Sequence, residues 1–342
     1  MKNTYSRLQY IVLCMLLLLL ITISIAYFQF DSIELRIYTL SANELQYTQQ
    51  IIFDAKLWLA VISLISGFFI ILIGINLFKD VISPHRDQLV FRKTLAKALK
   101  QDHLFLMFQP QLSLKANKII GAEALIRWTD PKSGPISPAE FIAKAESAQV
   151  MPQLGFWIIE NAFAQFSQWQ QQGLTLDSVS VNVSAQQLKS EHLFDDIFIL
   201  TEKYHIDPKT IKFEITETEM VDDYEKISTL LERLQSLGFQ IAMDDFGTGL
   251  CSLSYLKHLH FDVIKIDQSF IRNCQVSETD SLLLKNILRL AHDLKVEVVA
   301  EGIEFEEQIE FLKKEQCQTV QGYYISRPLM AKEFEEFVRN FG

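Results

Sequence analysis

Two long apolar runs lie near the start of the chain, and shorter apolar runs alternate with amphipathic segments after them. The long runs cover 11–27 and 57–78, and neither contains a charged side chain. As helices rising about 1.5 Å per residue, both are roughly long enough to cross a hydrocarbon core of about 30 Å. The pattern predicts two transmembrane helices, at about 10–28 and 57–78, joined by a short external loop, 29–56.

Basic residues around the two runs predict their orientation. Lys2 and Arg7 precede the first run, Arg36 and Lys56 lie between the runs, and five basic residues follow within 79–97. By the positive-inside rule, this bias predicts a multi-pass protein whose N-terminus and C-terminal part face the cytoplasm. The first run has an alternative interpretation as a signal peptide, because 24–26 (Ser-Ile-Ala) has the small-x-small pattern of a cleavage site.

A polar linker, 79–90, follows the second run and leads into a basic amphipathic helix. Its apolar stripe is Leu89, Phe91, Leu95 and Leu99. The stripe predicts a helix that packs on the domain after it. The cations between the apolar positions leave a second interpretation open, in which they lie at a membrane surface; they are Arg92, Lys93, Lys97 and Lys100.

Eight apolar runs of strand length alternate with helical patterns in the rest of the chain. Two of the helices begin with capping boxes, at Ser137 and Ser184. The connection 110–118 is too short for a crossover helix, so the first two strands form an antiparallel pair. The rhythm predicts an α/β fold, a (β/α)8 TIM-like barrel with an antiparallel first strand. The predicted strands are 104–109, 119–128, 178–183, 210–215, 239–244, 263–267, 296–301 and 320–325.

Polar residues interrupt most of these apolar strands near their C-terminal ends, which share one face of a barrel. One such residue alone is usually a helix cap or a rim residue, but seven at comparable positions are unusual. Carboxylates and an amide without Cys or His form a hard oxygen site that suits Mg²⁺ or Mn²⁺. The seven residues are Glu123, Asn182, Glu214, Asp244, Lys265, Glu301 and Gln321.

Two neighbouring carboxylates end the fifth predicted strand. Asp244 and Asp245 follow an apolar run, and Gly247 and Gly249 come directly after them. Repulsion between adjacent carboxylates favours a bound cation, whereas a solvated turn explains the same Asp and Gly residues without one.

Charge and cysteine usage limit the possible functions. Residues 1–78 contain four basic and four acidic side chains, so the net charge of −10 belongs to the remainder. An acidic domain is a poor partner for a nucleic-acid polymer. None of the four cysteines lies in the external loop, so no disulfide framework is predicted.

His258 and His260 have two interpretations, a solvated loop or metal ligands.

The motifs from about Phe91 to the C-terminus resemble those of the EAL family of cyclic di-GMP phosphodiesterases. The run 123–128 (EALIRW) is similar to the motif that names the family. Further matching runs are 137–142, 181–185, 214–218, 244–249, 265–267, 300–304 and 321–323. The resemblance implies an EAL phosphodiesterase domain, 91–342, at a bacterial cytoplasmic membrane, which dimerises and hydrolyses cyclic di-GMP to linear pGpG.

The resemblance also implies a role for each matching residue. Two Mg²⁺ or Mn²⁺ ions would be held by Glu123, Asn182, Glu214, Asp244 and Asp245, with Asp244 shared between them. Glu301 would act as general base, and Lys265 would assist the attacking hydroxide. Substrate contacts would come from Gln109, Leu125, Arg127, Asp267 and Gln321, and the loop-bracing and supporting residues would be Glu217 and Glu304.

Departures from the family pattern occur away from the metal and acid-base positions. They are Leu250-Cys251 where Tyr-Ser is common, Gln268 where Arg is common, and Phe108 where Tyr is common. The first of these puts in doubt the stiffness of the loop after Asp245 and the dimer contact. Two other functions are weighed against the enzyme: a silent cyclic di-GMP receptor that signals to a membrane partner, and a purely structural barrel.

Overall fold

The computed structural model describes residues 14–29, 42–77, 83–101, 103–131, 133–216, 224–247 and 259–341. It divides into two compact units, Met1–Val90 and Phe91–Gly342.

The N-terminal unit contains one helix that is long and apolar enough to cross a membrane. Helix α1, Cys14–Gln29, is apolar but spans only about 24 Å. Helix α2, Ala42–Leu77, contains a 31-residue candidate span, Gln46–Asn76, with a mean hydropathy of 2.6. One predicted span is thus supported, and the span predicted over 10–28 stays a prediction.

Helix α2 begins well before Leu57, the predicted start of the second span. Residues 42–56, which the sequence reading placed in the external loop, are therefore helical. They contain no Gly or Pro, so nothing in them ends the helix. The uncharged apolar run begins at Leu57, whereas the helix begins at Ala42 and its candidate span at Gln46.

The C-terminal unit is a closed eight-stranded barrel surrounded by helices. The order around the barrel is β1-β9-β8-β7-β6-β5-β4-β2, and β2 pairs with β1 to close it. Strand β1 is antiparallel to β2 and β9, and the other neighbours are parallel. The predicted barrel with an antiparallel first strand is confirmed.

Each of the eight predicted strands overlaps an observed strand; the predicted strand 320–325 overlaps β9 only at 320–321, because the chain turns at 322–325. The strands are β1 Leu104–Ser113, β2 Lys118–Asp130, β3 Gly134–Ile136, β4 Ser178–Asn182, β5 Ile211–Thr216, β6 Gln240–Phe246, β7 Val263–Ile266, β8 Glu297–Ala300, β9 Thr319–Gln321 and β10 Leu329–Met330. The short strands β3 and β10 extend the sheet outside the barrel. Sequence reasoning missed them because two or three residues are too few to show an alternating pattern.

Helices connect most of the strands. They are α3 Ser83–Lys100, α4 Pro138–Ser147, α5 Met151–Gln171, α6 Ala185–Leu188, α7 Leu193–Tyr204, a 3-10 turn Pro208–Thr210, α8 Tyr224–Leu237, α9 Gln268–Arg272, α10 Glu278–Leu294, α11 Glu306–Lys314 and α12 Ala331–Asn340. Helix α3 covers part of the predicted linker, and Leu95 and Ala98 bury its apolar face in the main core.

Successive side chains of a barrel strand point alternately into the barrel and toward the surrounding helices. Ala242, Val263 and Val299 form a small apolar cluster of their own. Asp244 and Lys265 lie two residues further along β6 and β7, and Glu301 comes directly after the end of β8, two residues beyond Val299. Alternate residues share a face of a strand. The apolar cluster therefore lies directly below the polar C-terminal ends of β6, β7 and β8.

Candidate active site

A buried lysine lies at the centre of the polar residues that end the barrel strands. Lys265 of β7 is 1% exposed, and its Nζ lies 2.6 Å from Glu214, 2.7 Å from Glu301, 3.1 Å from Asp244 and 3.5 Å from Glu123. The four carboxylates come from four different strands or strand ends, so only the closed barrel brings them together.

A β-bulge explains how two consecutive aspartates face the same cavity. Neighbouring residues of a regular strand point to opposite faces. The register between β6 and β7 shifts between Met243 and Phe246, and Asp245 has a left-handed φ of +53°. Its backbone N–H donates to Oδ1 of Asp244 at 3.0 Å. The bulge therefore turns both carboxylates toward the barrel mouth, where both line one cavity.

Two amide side chains hold Glu123 in place, and two more hold one of these amides. Asn182 donates to one carboxylate oxygen of Glu123 at 2.8 Å, and Gln321 donates to the other at 2.6 Å. Gln321 also donates to Gln109 at 3.2 Å and accepts from Gln111 at 3.0 Å. Sequence reasoning did not single out Gln111, although a glutamine in the middle of an apolar strand was a visible signal.

The cluster is short of positive charge. Burial raises the pKa of Glu214 well above its usual range and the pKa of Glu301 to about 8, and Lys265 counteracts both shifts only partly. Burial and then the neighbouring Asp244 raise the pKa of Asp245. Five carboxylates and one ammonium give a formal charge of −4, and repulsion between the carboxylates adds to the effect of burial on these pKa values.

Lys265 and Glu123 are ionised despite their burial. Burial alone would lower the pKa of Lys265, but the surrounding carboxylates together raise it well above its usual value. Burial would raise the pKa of Glu123, but Lys265 and the donors Gln321 and Asn182 lower it. This lysine is therefore a fixed positive charge at the cavity floor.

Two glycines allow the loop that carries Glu301 to approach its neighbours closely. Gly302 has a φ of +71°, and a Cβ there would overlap the side chain of Gln268. A Cβ on Gly322 would overlap the backbone of Ile303. The backbone N–H of Glu301 donates to Ile266 at 3.1 Å, which fixes the start of this loop on β7.

The cavity at the barrel mouth has a volume of about 300 Å³ and is lined by several predicted residues. Predicted residues on its wall include Gln109, Leu125, Asp267 and Glu304. Asp267 also caps α9 by accepting from Ser269 N–H at 2.9 Å. Gln268, Gly302, Gly322 and Tyr323 line the cavity too, and sequence reasoning gave none of them a role in the site.

Some predicted residues lie apart from this cavity wall. Arg127 is half-buried, and its Nη1 donates to the carbonyl of Ile126 at 2.8 Å. Glu214 lies beneath Lys265 and is 1% exposed. Glu217, His258 and Cys251 lie outside the described residues. His260 is exposed, and its carbonyl accepts a hydrogen bond from Gln235.

Phe108 shows why one departure from the family pattern is tolerated. Its ring is 1% exposed and lies 4.6 Å from the ring of Trp169 and 6.1 Å from that of Phe334. An aromatic ring without a hydroxyl suits this apolar environment, because it brings no polar atom that needs a partner.

The donor set fits hard divalent cations. Asp244, Asp245 and Glu301 each offer a carboxylate oxygen, and these oxygens lie within 4.8 Å of one another. Carboxylate and amide oxygens are the ligands that Mg²⁺ and Mn²⁺ prefer. A candidate acidic metal site is therefore present at the strand ends.

The EAL domain family matches residues 92–328 of this chain. The chain belongs to the EAL family. Among curated EAL relatives, the cyclic di-GMP phosphodiesterase NbdA of Pseudomonas aeruginosa is 35% identical over 255 residues, which are 75% of this chain and 33% of NbdA. The signaling protein YkoW of Bacillus subtilis is 38% identical over 244 residues, 71% of this chain and 30% of YkoW. The chain thus spans about a third of the length of these relatives.

Solved EAL structures have the same fold. PaMucR phosphodiesterase in its c-di-GMP complex is 34% identical with a TM-score of 0.68, over 71% of this chain and 99% of that one. The EAL enzyme Bd1971, with cAMP and cyclic di-GMP bound, is 27% identical with a TM-score of 0.70, over 89% of this chain and 77% of that one. The EAL proteins similar to this chain therefore include phosphodiesterases and proteins whose solved structures contain bound cyclic di-GMP.

Proposed function

We propose that this protein is a membrane-anchored phosphodiesterase that hydrolyses cyclic di-GMP to linear pGpG with two Mg²⁺ or Mn²⁺ ions. The observation that carries the proposal is the ammonium of Lys265 within 3.5 Å of four carboxylates at the mouth of the barrel. A structural barrel would gain nothing from burying this excess of negative charge, because unpaired charge in a protein interior costs stability.

The residues that would hold the ions are Glu123, Asn182, Glu214, Asp244 and Asp245. Two bound divalent cations would supply positive charge next to the phosphate oxygens and lower the pKa of a nearby water. Their combined charge equals the formal −4 of the five carboxylates and Lys265, so the pocket would then accept an anionic substrate.

Hydrolysis requires that water attack one phosphorus, that the P–O3′ bond break, and that the 3′-oxygen leave with a proton. Glu301 would take the proton from the attacking water, and its position in the cavity wall beside Asp244 and Asp245 supports this role. Lys265 fixes Glu301 through a 2.7 Å contact. The amide network around Gln321 holds the adjoining wall, formed by β9, β1 and β2, where Gln109 and Leu125 would contact the substrate.

A product assay on the full-length protein tests this function. The purified chain is incubated with cyclic di-GMP and Mg²⁺ or Mn²⁺, and the nucleotides are separated by chromatography. We expect pGpG with at least one of the two metals. A folded protein that binds cyclic di-GMP but forms no pGpG with either metal would favour the silent receptor and exclude the enzyme.

The proposed location is the bacterial cytoplasmic membrane, with two spans and with the N-terminus and barrel in the cytoplasm. The apolar helix α2 and the clustering of basic residues after it support this topology. A reporter enzyme that is active only outside the cytoplasm, fused near residue 36 or after residue 342, tests it. Activity only in the first fusion is expected, and activity in the second would contradict it.

Following the family resemblance, we also propose a homodimer, which light scattering tests.

A further inference from the structure

Three lysines form a stripe along the outer face of α3. Lys93, Lys97 and Lys100 are spaced by four and three residues, which places them on one side of a helix. All three are exposed. In the part of the chain that the structure describes, none of their ammonium groups has a carboxylate within 4 Å, so the fold does not neutralise the stripe.

The opposite side of α3 already has its partner. Leu95 and Ala98 are 1% and 2% exposed in the main core, and the ring of Phe91 lies 5.8 Å from that of Trp128. The neighbouring cation Arg92 donates to the carbonyl of Ala148 at 2.8 Å and so holds α3 against the end of α4. Packing therefore accounts for Phe91, Leu95 and Leu99 of the apolar stripe and for Arg92, whereas Leu89 is exposed. It does not use the three lysines.

Charge and chain continuity together indicate what the stripe contacts. The chain has a net charge of −10, so a row of unpaired lysines is a local exception on an acidic protein. The row begins 17 residues after the candidate span Gln46–Asn76 and is part of a run of six basic residues within 79–100. A cluster of four to eight basic residues directly after a span is typical of segments that bind anionic lipid headgroups.

We propose that Lys93, Lys97 and Lys100 bind the anionic headgroups of the bilayer in which α2 is anchored, and so hold the α3 side of the barrel at the membrane surface. The proposal rests on the proposed membrane location but not on catalysis. Anionic lipid attracts this stripe and repels the remaining acidic surface, so the contact both attaches and orients the barrel.

Amine labelling of the full-length protein in lipid nanodiscs tests the proposal. One sample contains phosphatidylcholine alone, and the other contains about one-third phosphatidylglycerol. The acetylation rate of each lysine is read by mass spectrometry. We expect the rates of the three stripe lysines to fall about fivefold or more in the anionic discs, and to recover at about 0.5 M salt, which screens the attraction. Lys118 and Lys332, also exposed, serve as controls whose rates stay unchanged.

The possible failures can be told apart. Equal labelling of the stripe in both lipids, for a protein that stays inserted, overturns the proposal and leaves the membrane location intact. Release of the protein from membranes by alkaline carbonate would instead overturn the location. Protection in native membranes but not in anionic discs would mean that an acidic protein covers the stripe, and would also overturn lipid binding.

Discussion

Among the described residues, two lysines are buried inside the barrel, at different heights and with different numbers of carboxylates around them. Lys265, near the C-terminal ends of the strands, lies within 4 Å of four carboxylates. Lys212, near the N-terminal end of β5, lies 3.4 Å from Glu297, and no other carboxylate of the described residues lies within 4 Å of it. Glu297 also accepts from Thr319 at 3.3 Å. The lower pair is electrically balanced, whereas the upper cluster is not.

The difference separates a structural ion pair from a functional site. At Lys212, one lysine is paired with one carboxylate, so the charge in this part of the barrel interior is balanced. The apolar cluster Ala242, Val263 and Val299 also lies in the interior. The upper site surrounds one lysine with more carboxylates than it can neutralise, and burial, with smaller contributions from Asp244 and Glu123, raises the pKa of Glu301 to about 8. The imbalance implies that further cations belong to the upper site only.

Metal removal has the largest expected effect. Chelation with EDTA should abolish pGpG formation, because five carboxylates would otherwise repel an anionic substrate. Addition of Mn²⁺ should restore the activity, as measured by product chromatography. The metal content of the chelated protein is measured as a control. Full turnover by protein without metal would contradict the claim that the site around Lys265 needs bound cations.

Replacement of the general base has the next largest effect. Glu301→Gln keeps the size of the side chain and removes the proton acceptor, so kcat should fall about 10²- to 10⁴-fold. Binding of cyclic di-GMP, measured by calorimetry in the presence of Ca²⁺ or Mg²⁺, should change little. An unaltered kcat would take Glu301 out of the mechanism, and a loss of binding alone would assign it to substrate contact.

Exchange of the two lysines for methionine tests the comparison itself. Lys212→Met should lower the free energy of unfolding by about 1–2 kcal/mol, because it leaves the partly exposed Glu297 unpaired. Its kcat should stay within about threefold of the wild type. Lys265→Met should lower kcat by about tenfold or more, since it removes the cation that holds Glu301. Equal effects of the two changes on kcat, with denaturant unfolding measured alongside, would contradict the division into a structural ion pair at Lys212 and a functional site at Lys265.

The pH dependence of stability should be the mildest effect. A carboxyl whose pKa is raised in the folded state stabilises the fold below its ordinary pKa, and this stabilisation is lost as pH rises through the folded value. Metal-free protein should therefore lose stability between about pH 4.5 and about 8, the value for Glu301. Melting temperatures in EDTA should show this fall, and Glu301→Gln should flatten it. A metal-free melting temperature that rises over this interval would be inconsistent with the buried charge excess.

Much of the barrel was predictable because its strands have a strong local pattern. Strands such as β6 and β8 combine apolar runs with a polar residue near the C-terminal end, and barrel geometry brings those ends to one face. Asp244, Lys265 and Glu301 could thus be predicted to meet without any knowledge of distances. The antiparallel first pair followed from the short connection 110–118 alone.

Other features depend on tertiary structure and left no signal of their own. The alternation rule would send Asp244 and Asp245 to opposite faces, and only the bulge with a positive φ at Asp245 reverses this. The pairing of Lys212 with Glu297 joins residues 85 positions apart. The start of α2 at Ala42 was hidden because helix propensity continues beyond the apolar run.

Counting the cations at the upper site tests the central claim most directly. Mn²⁺ binding to the full-length protein is measured by electron paramagnetic resonance of free Mn²⁺, for the wild type, Asp244→Asn and Lys212→Met. We predict two bound ions per chain in the wild type and in Lys212→Met, and at most one in Asp244→Asn. A folded wild-type protein that binds no Mn²⁺, or binds it equally after Asp244→Asn, would contradict the account.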